Sequence, residues 1–245
     1  MQDMTDSLVY ILFKGSRMSD TVFEAIKNVY VLRYLVLNLG LRSFNVVPSN
    51  ALQYLPNLRL VIINGVVNTL KSSAFTSLPI LRSLKITNML ETIEEFAFDF
   101  NDSEEITNIS INLADNRLSE SSFHINFTRL RPHVYIDLDL SSNNIRYLPE
   151  DTFKEFFTVN NGNTLNIREN KLECGLCESY WIIENRDLLK NRIQVQCDLS
   201  QQISFWNFDW SHCDTRYSSA QSATINILTQ AFFTLAQYLF CQLYC

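Results

Sequence analysis

One feature constrains the fold more than any other: a spaced series of apolar residues that runs from one end of the chain toward the other. Ile11, Leu35, Val61, Leu84, Ile111, Leu138 and Leu165 stand 24, 26, 23, 27, 27 and 27 residues apart. A second apolar residue follows each of them two positions later: Phe13, Leu37, Ile63, Ile86, Leu113, Leu140 and Ile167. Burial with period two is the signature of a strand, so each pair predicts one short strand. A unit of this length cannot bury an apolar face alone. It must stack on its neighbours, which makes the chain quasi-one-dimensional. The clearest copy is Leu138–Cys177, where Leu138, Leu140, Ile145 and Leu148 surround Asn143, and Leu165, Ile167, Asn170 and Leu172 begin the pattern again before Cys174 and Cys177.

Two further residues recur. Phe23, Phe75, Phe98, Phe123 and Phe153 fall about half a repeat after the strand. They are expected to fill the convex side, turn against turn. Asn116, Asn143 and Asn170 fall five residues after the first inward position. A buried amide there can bond the backbones of neighbouring loops. Gly40, Val66 and Met89 take that place in earlier repeats. The later repeats are therefore expected to be regular, and the earlier ones looser, with helical or irregular segments such as 20–28 and 49–55. The recurring Leu32-Arg33-x-Leu35, Leu58-Arg59-x-Val61 and Leu81-Arg82-x-Leu84 mark the early units as repeats all the same.

These motifs resemble the extracellular leucine-rich repeat family over roughly residues 8–213. The resemblance implies an α/β solenoid, a curved horseshoe with a parallel concave sheet of about seven strands. The stretch Asn170-Lys-Leu-Glu-Cys174-Gly-Leu-Cys177-Glu-Ser-Tyr-Trp181, with Cys197 and Cys213 after it, looks like that family's C-terminal cap. It lacks the usual proline and has one extra residue between its first two cysteines. The family implies the pairings Cys174–Cys197 and Cys177–Cys213. The divergent repeats and this cap are also similar to arthropod proteins named after the non-catalytic subunit of a secreted shrimp luciferase, which implies no luminescence. The division expected is repeats over 1–170, a cysteine-rich cap over 171–215 and an apolar tail over 216–245.

The six cysteines, clustered toward the C-terminus, suggest an oxidising compartment. Sequons at Asn101, Asn108 and Asn126 point the same way; Asn108 leads directly into a predicted strand, leaving Asn101 and Asn126 as the expected glycosylation sites. The first residues do not read as a signal peptide, since Asp3 and Asp6 stand where positive charge belongs. An N-terminally truncated product reconciles this with the cysteines. The tail begins SSAQSA and carries no charge after Arg216. It reads as a glycolipid-anchor signal, a membrane span or a docked amphipathic helix, so membrane attachment through it is one expectation. Pairing of Cys241 and Cys245 is left open.

Net charge is −6 and no basic cluster occurs, which argues against nucleic acid as partner. No nucleophile, zinc-protease or phosphate-loop motif occurs, and His124, His133 and His212 stand in no ligand pattern, so no enzyme, cofactor or metal is expected. The cysteines leave two rival chemistries open beside a structural cap. Cys174-Gly-Leu-Cys177 has the spacing of a redox pair, and four cysteines supply enough thiolates for zinc. The expected function is binding of another protein or extracellular macromolecule, by a secreted or surface-anchored chain, across the concave face. A non-catalytic scaffolding subunit of a secreted enzyme is the alternative. On that face Tyr34, Val36, Leu60 and Ile62 flank the inward positions and form an apolar patch, with Arg33, Arg59 and Arg82 beside it and Asp137 and Asp139 farther along.

Overall fold

A computed structural model describes residues 9–15, 17–41, 43–98, 100, 107–124, 133–197 and 204–214. Its main sheet has eight strands, all parallel: β1 (Val9–Gly15), β2 (Leu32–Leu39), β4 (Leu60–Gly65), β6 (Ser83–Asn88), β8 (Asn108–Asn112), β9 (Tyr135–Asp139), β10 (Thr164–Asn166) and β11 (Ile193–Gln194). The register is the one the apolar spacing requires. Ile11 lies opposite Leu35, then Val61, Leu84, Ile111, Leu138 and Leu165 follow strand by strand. Unequal repeat lengths leave this column intact because the differences are absorbed in the connecting segments. The eighth strand comes from the cap, with Ile193 opposite Leu165, and extends the expected seven.

Between these strands run β3 (Val46–Val47), β5 (Thr69–Leu70) and β7 (Thr92–Ile93), a second parallel sheet of three strands. A lone bridge from Ile93 to Phe123 carries its line one repeat farther. The rest of each connection is turn or helix: α1 (Thr21–Ile26) in the first and α2 (Glu150–Val159) in a late one. Strands pack about 4.8 Å apart and helices or turns more widely, so the strand side is the inside of the curve. The expected helical or irregular segments at 20–28 and 49–55 are α1 and a run of turns, but helix is not confined to the early repeats. The longest of these helices belongs to the regular Leu138 repeat. Its apolar spacing of Phe153, Phe156 and Phe157 closes a helix face that is buried in the core.

All five convex phenylalanines are buried. Phe75 packs against Phe98 at 6.0 Å between centroids and Phe123 against Phe153 at 5.2 Å, whereas Phe23 meets Phe44 instead. Leu52 and Leu55 fill the intervening repeat. Gly65 has φ +136, and a Cβ there would run into the Leu39 carbonyl; the neighbouring turn thus comes closer than any other residue type permits.

The asparagines tie the later turns together. Asn143 Nδ2 donates to the Leu113 carbonyl (3.0 Å) and the Leu140 carbonyl (2.9 Å), while its Oδ1 accepts from the Leu118 N–H (2.9 Å). Asn116 does the same for Ile86, Leu113 and Leu90, and Asn170 for Leu140, Ile167 and Ile145. Each amide therefore joins its own loop to the one before. All three are buried, so their loss strands backbone groups away from water.

Asn143→Ala is expected to cost about 3 kcal/mol, because several buried partners lose their bonds at once. Exposed Asn144→Ala is expected to stay within about 0.5 kcal/mol. Urea unfolding of the two variants checks this, and equal midpoints would contradict the clamp.

Candidate functional site

The alternation of each strand puts two columns of side chains on the concave face. The first is Tyr10, Tyr34, Leu60, Ser83, Ser110, Asp137 and Thr164, partners across successive strands. The second is Leu12, Val36, Ile62, Lys85, Asn112, Asp139 and Asn166. Read along the sheet, both columns run apolar, then neutral or cationic, then acidic at β9 and neutral again at β10. The apolar end spans β1, β2 and β4. Tyr10 is 51% exposed and Leu12 41%. Tyr34, Leu60 and Ile62 are half-buried. Val36 departs from the expectation of a solvent-facing residue: it is only 8% exposed, because Leu12 and Ile62 flank it from both sides.

Arg33, Arg59 and Arg82 form a third row at the strand starts. The Arg59 N–H donates to the Arg33 carbonyl and the Arg82 N–H to the Arg59 carbonyl, both at 2.9 Å, so the three stand on adjacent rungs. Arg33 is half-buried; Arg59 and Arg82 are exposed. Beyond the apolar block, Lys14, Asn38, Asn64 and Thr87 share a register position. There Asn64 Nδ2 donates to Asn38 Oδ1 (2.9 Å) and Thr87 Oγ1 to Asn64 Oδ1 (3.1 Å). At the acidic end the Asp139 carboxylate accepts from Asn112 (3.3 Å), Asn166 (3.0 Å) and the Ser141 hydroxyl (2.7 Å). Thr164 Oγ1 donates to Asp137 at 2.6 Å.

The structure thus brings all seven expected face residues into one neighbourhood and adds Tyr10, Leu12, Lys14 and Lys85. The signal for the additions was present. Tyr10 and Leu12 flank Ile11 as Tyr34 and Val36 flank Leu35, and Lys85 follows Leu84 in the same way.

The cysteine cluster carries no chemistry of its own here. Cys174 is bonded to Cys197 and Cys177 to Cys213, with Cα separations of 5.4 and 5.3 Å. This overturns the redox and zinc readings of the cluster, since no free thiolate is left among these four. Cys177, Cys213 and His212 do come together, but both sulfurs are spent in one bond, and the imidazole Nε2 lies 3.0 Å from the Gly175 carbonyl oxygen. The bridges close a small apolar lid. Trp181, on α3 (Tyr180–Glu184), is buried and its indole N–H donates to the Leu148 carbonyl at 2.9 Å. Helix α4 (Arg186–Leu189) then leads to Arg192, which spans the end of α2. Its guanidinium donates to the carbonyls of Phe157 (3.0 Å), Asn160 (2.7 Å) and Asn163 (2.9 Å). Burial pushes its pKa down, and among the described residues Nη1 has no hydrogen-bond partner. The Phe157 ring, 5.0 Å from the guanidinium carbon, offers a π face instead.

A groove of about 1150 Å³ lies away from the concave face, between α2 and the cap loop, lined by Tyr147, Pro149, Glu150, Lys154, Leu176 and Glu178 among others. Its one cation, Lys154, pairs with Glu150 at 2.7 Å. It holds no group poised for chemistry. Asn101, Asn126 and the 216–245 tail, with Cys241 and Cys245, lie outside the described residues. Asn108 is the first residue of β8. Among the described residues no helix is long and apolar enough to cross a membrane.

No protein-family model matches the sequence, and no curated protein matches it. The resemblance to the luciferase-subunit proteins therefore gains no support. Among solved structures, the chain is similar to human 5T4 (Wnt-activated inhibitory factor 1, trophoblast glycoprotein), at 15% identity over 74% of this chain and 86% of that one, with a TM-score of 0.34. It is also similar to a chain of the mouse RP105/MD-1 complex, at 16% identity over 82% of this chain and 45% of that one, with the same TM-score of 0.34. The leucine-rich repeat solenoid itself is evident from the strand register and the asparagine clamps, independent of these two.

Peptide mapping without reductant is expected to recover the segments holding Cys174 with Cys197 and Cys177 with Cys213 as linked pairs. Opening the first bridge by changing Cys174 and Cys197 together to alanine is expected to cost about 3 kcal/mol in urea unfolding. Free thiols at Cys174 and Cys177 in chain expressed under oxidising conditions would contradict the assignment.

Proposed function

We propose that the chain is an extracellular recognition module that binds another protein across the concave sheet. The observation that carries this is the face itself. Six apolar residues from three adjacent strands, Tyr10, Leu12, Tyr34, Val36, Leu60 and Ile62, form one block, and its two β1 members keep about half of their surface exposed. On β2 and β4 the counterparts on the inner side are core: Leu35, Val61, Leu37 and Ile63 are fully buried. The concave residues hold the strands in no way that polar ones could not, as Ser83, Ser110 and Asn112 show in the same columns. A contiguous apolar patch on a soluble face is the ordinary mark of an interface. Tyrosine adds large, stiff contact area with a polar tip.

The two disulfides fit an oxidising compartment, and with it an extracellular or cell-surface location. The remainder of the concave face supports binding and not catalysis. Many of its polar side chains bond one another, as in the Asn38–Asn64–Thr87 chain and the Asp139 network, and among the described residues no histidine or cysteine stands in either column. The division into repeats over 1–170, a cap over 171–215 and a tail from 216 belongs to the same reading.

Bulky side chains on the concave face test it. Ser83→Trp and Ser110→Trp fill the middle of the first column, and Thr158→Trp places the same bulk on exposed α2. Against a displayed library of secreted and cell-surface ectodomains, the concave variants are expected to lose roughly tenfold or more in affinity for whatever the parent chain binds. The α2 variant is expected to keep it. Equal binding by all three, with circular dichroism unchanged, would overturn concave recognition.

A further inference from the structure

Charge is distributed unevenly over this acidic protein. Of its 26 acidic residues, none lies in β1, β2, β4 or β6. Those four strands and the rim they start from carry Lys14, Arg33, Arg59, Arg82 and Lys85. The five surround the apolar block: the arginines along the strand starts, Lys14 at the far end of β1, and Lys85 beside Ile62 on the next strand. Lys14, Arg59, Arg82 and Lys85 are exposed, and among the described residues none of these four meets a carboxylate.

Elsewhere five cations pair with carboxylates, Lys27 with Glu24 among them, whereas Arg17, Arg168 and Lys171 stand exposed with no carboxylate partner among the described residues but are scattered along the chain and flank no apolar block. Lys71 pairs with Glu94, Arg117 with Glu91, Arg146 with Glu173 and Lys154 with Glu150. The Lys71 ammonium, helped by the Ser72 N–H, holds the Glu94 carboxyl below its usual range. Four unmatched cations gathered on four carboxylate-free strands, around an exposed apolar block, present half of a complementary interface.

On the reading that the concave face binds protein, we infer that its occupant is a polypeptide segment combining carboxylates with aromatic or aliphatic side chains. The apolar side chains lie on Tyr10, Tyr34, Leu60 and Ile62. The carboxylates reach the arginine rim and Lys85, where a guanidinium can hold one in a bidentate grip. Crossing from β1 to β6 takes three interstrand steps of about 4.8 Å, so the contact core is about four or five extended residues long. Asp137 and Asp139 repel the same segment from the far half of the sheet. A purely polyanionic ligand such as a sulfated polysaccharide would use the cations and leave the apolar block idle. A purely apolar one would leave the cations idle.

The test uses the full chain and three labelled synthetic dodecapeptides, read by fluorescence anisotropy. One alternates glutamate with phenylalanine and leucine, one has lysine for glutamate, and one has serine for the apolar residues. The first is expected to bind at least about tenfold more tightly than either other and to weaken as salt is raised. Arg59→Glu with Arg82→Glu, and separately Tyr34→Ser with Leu60→Ser, are each expected to weaken it about tenfold or more. Lys85→Glu, a single change at an exposed position, repeats the charge test should the double variant unfold. No binding of the first peptide, equal binding of the lysine peptide, or unchanged affinity in the variants would overturn the inference. So would a heparin oligosaccharide bound equally by the parent and by the Tyr34→Ser, Leu60→Ser chain. If Ser83→Trp abolishes binding of a native partner while the charge variants retain it, concave recognition stands and the acidic occupant falls. If both retain it, both readings fall.

Discussion

The hydrogen bonds of Asn116, Asn143 and Asn170 are the interaction on which the later half of the solenoid depends. A tight turn leaves backbone donors and acceptors that the next strand cannot reach. One buried amide meets four of them and does so across two repeats, fixing both the turn and its distance from the neighbour. The strand register then follows, because turns locked at a constant offset deliver Ile111, Leu138 and Leu165 to the same height. The early repeats reach the same register by other means: a close approach at Gly65, backbone bonds between the arginine-bearing rungs, and the short second sheet behind them.

This division of labour shapes what each half can offer. The clamped half ends in the cap, where two disulfides, Trp181 and Arg192 cover the last apolar edge. Its concave side chains, Asp137, Asp139, Asn112 and Asn166, bond among themselves and to the turns. The other half has no such network across its first two columns. Tyr34, Leu60 and Ile62 touch their strand neighbours and leave outward surface, while Val36 between them is buried. Ile11 and Phe13 are half-buried, whereas the equivalent Leu35, Leu37, Val61 and Ile63 are fully covered. Surface free to meet a partner is therefore concentrated where the internal bonding is thinnest.

The register was legible in the sequence because burial with period two leaves a mark that survives changes in repeat length. Ile11 through Leu165 could be aligned by eye, and the cap by its cysteines and Trp181. What escaped has a physical reason in each case. The second sheet consists of two-residue strands such as Thr69–Leu70, too short to show alternation. The ten-residue span of α2 is not marked by Phe153 alone, because Phe156 and Phe157 complete the helix face. Of the candidate surface, the apolar and arginine members were legible one strand at a time. The ring of cations was not. Lys14, Arg59, Arg82 and Lys85 are far apart in sequence, and only the pairing of four strands makes them neighbours.

The central claim is that recognition occurs on the first strands of the concave sheet. Hydroxyl-radical footprinting of the chain, free and bound to a partner, tests it most directly. Tyr10, Tyr34 and Leu60 are expected to lose reactivity on binding, while Tyr147, which lines the groove beside α2, is expected to keep it. Protection of Tyr147 with Tyr10 and Tyr34 unchanged would contradict the account.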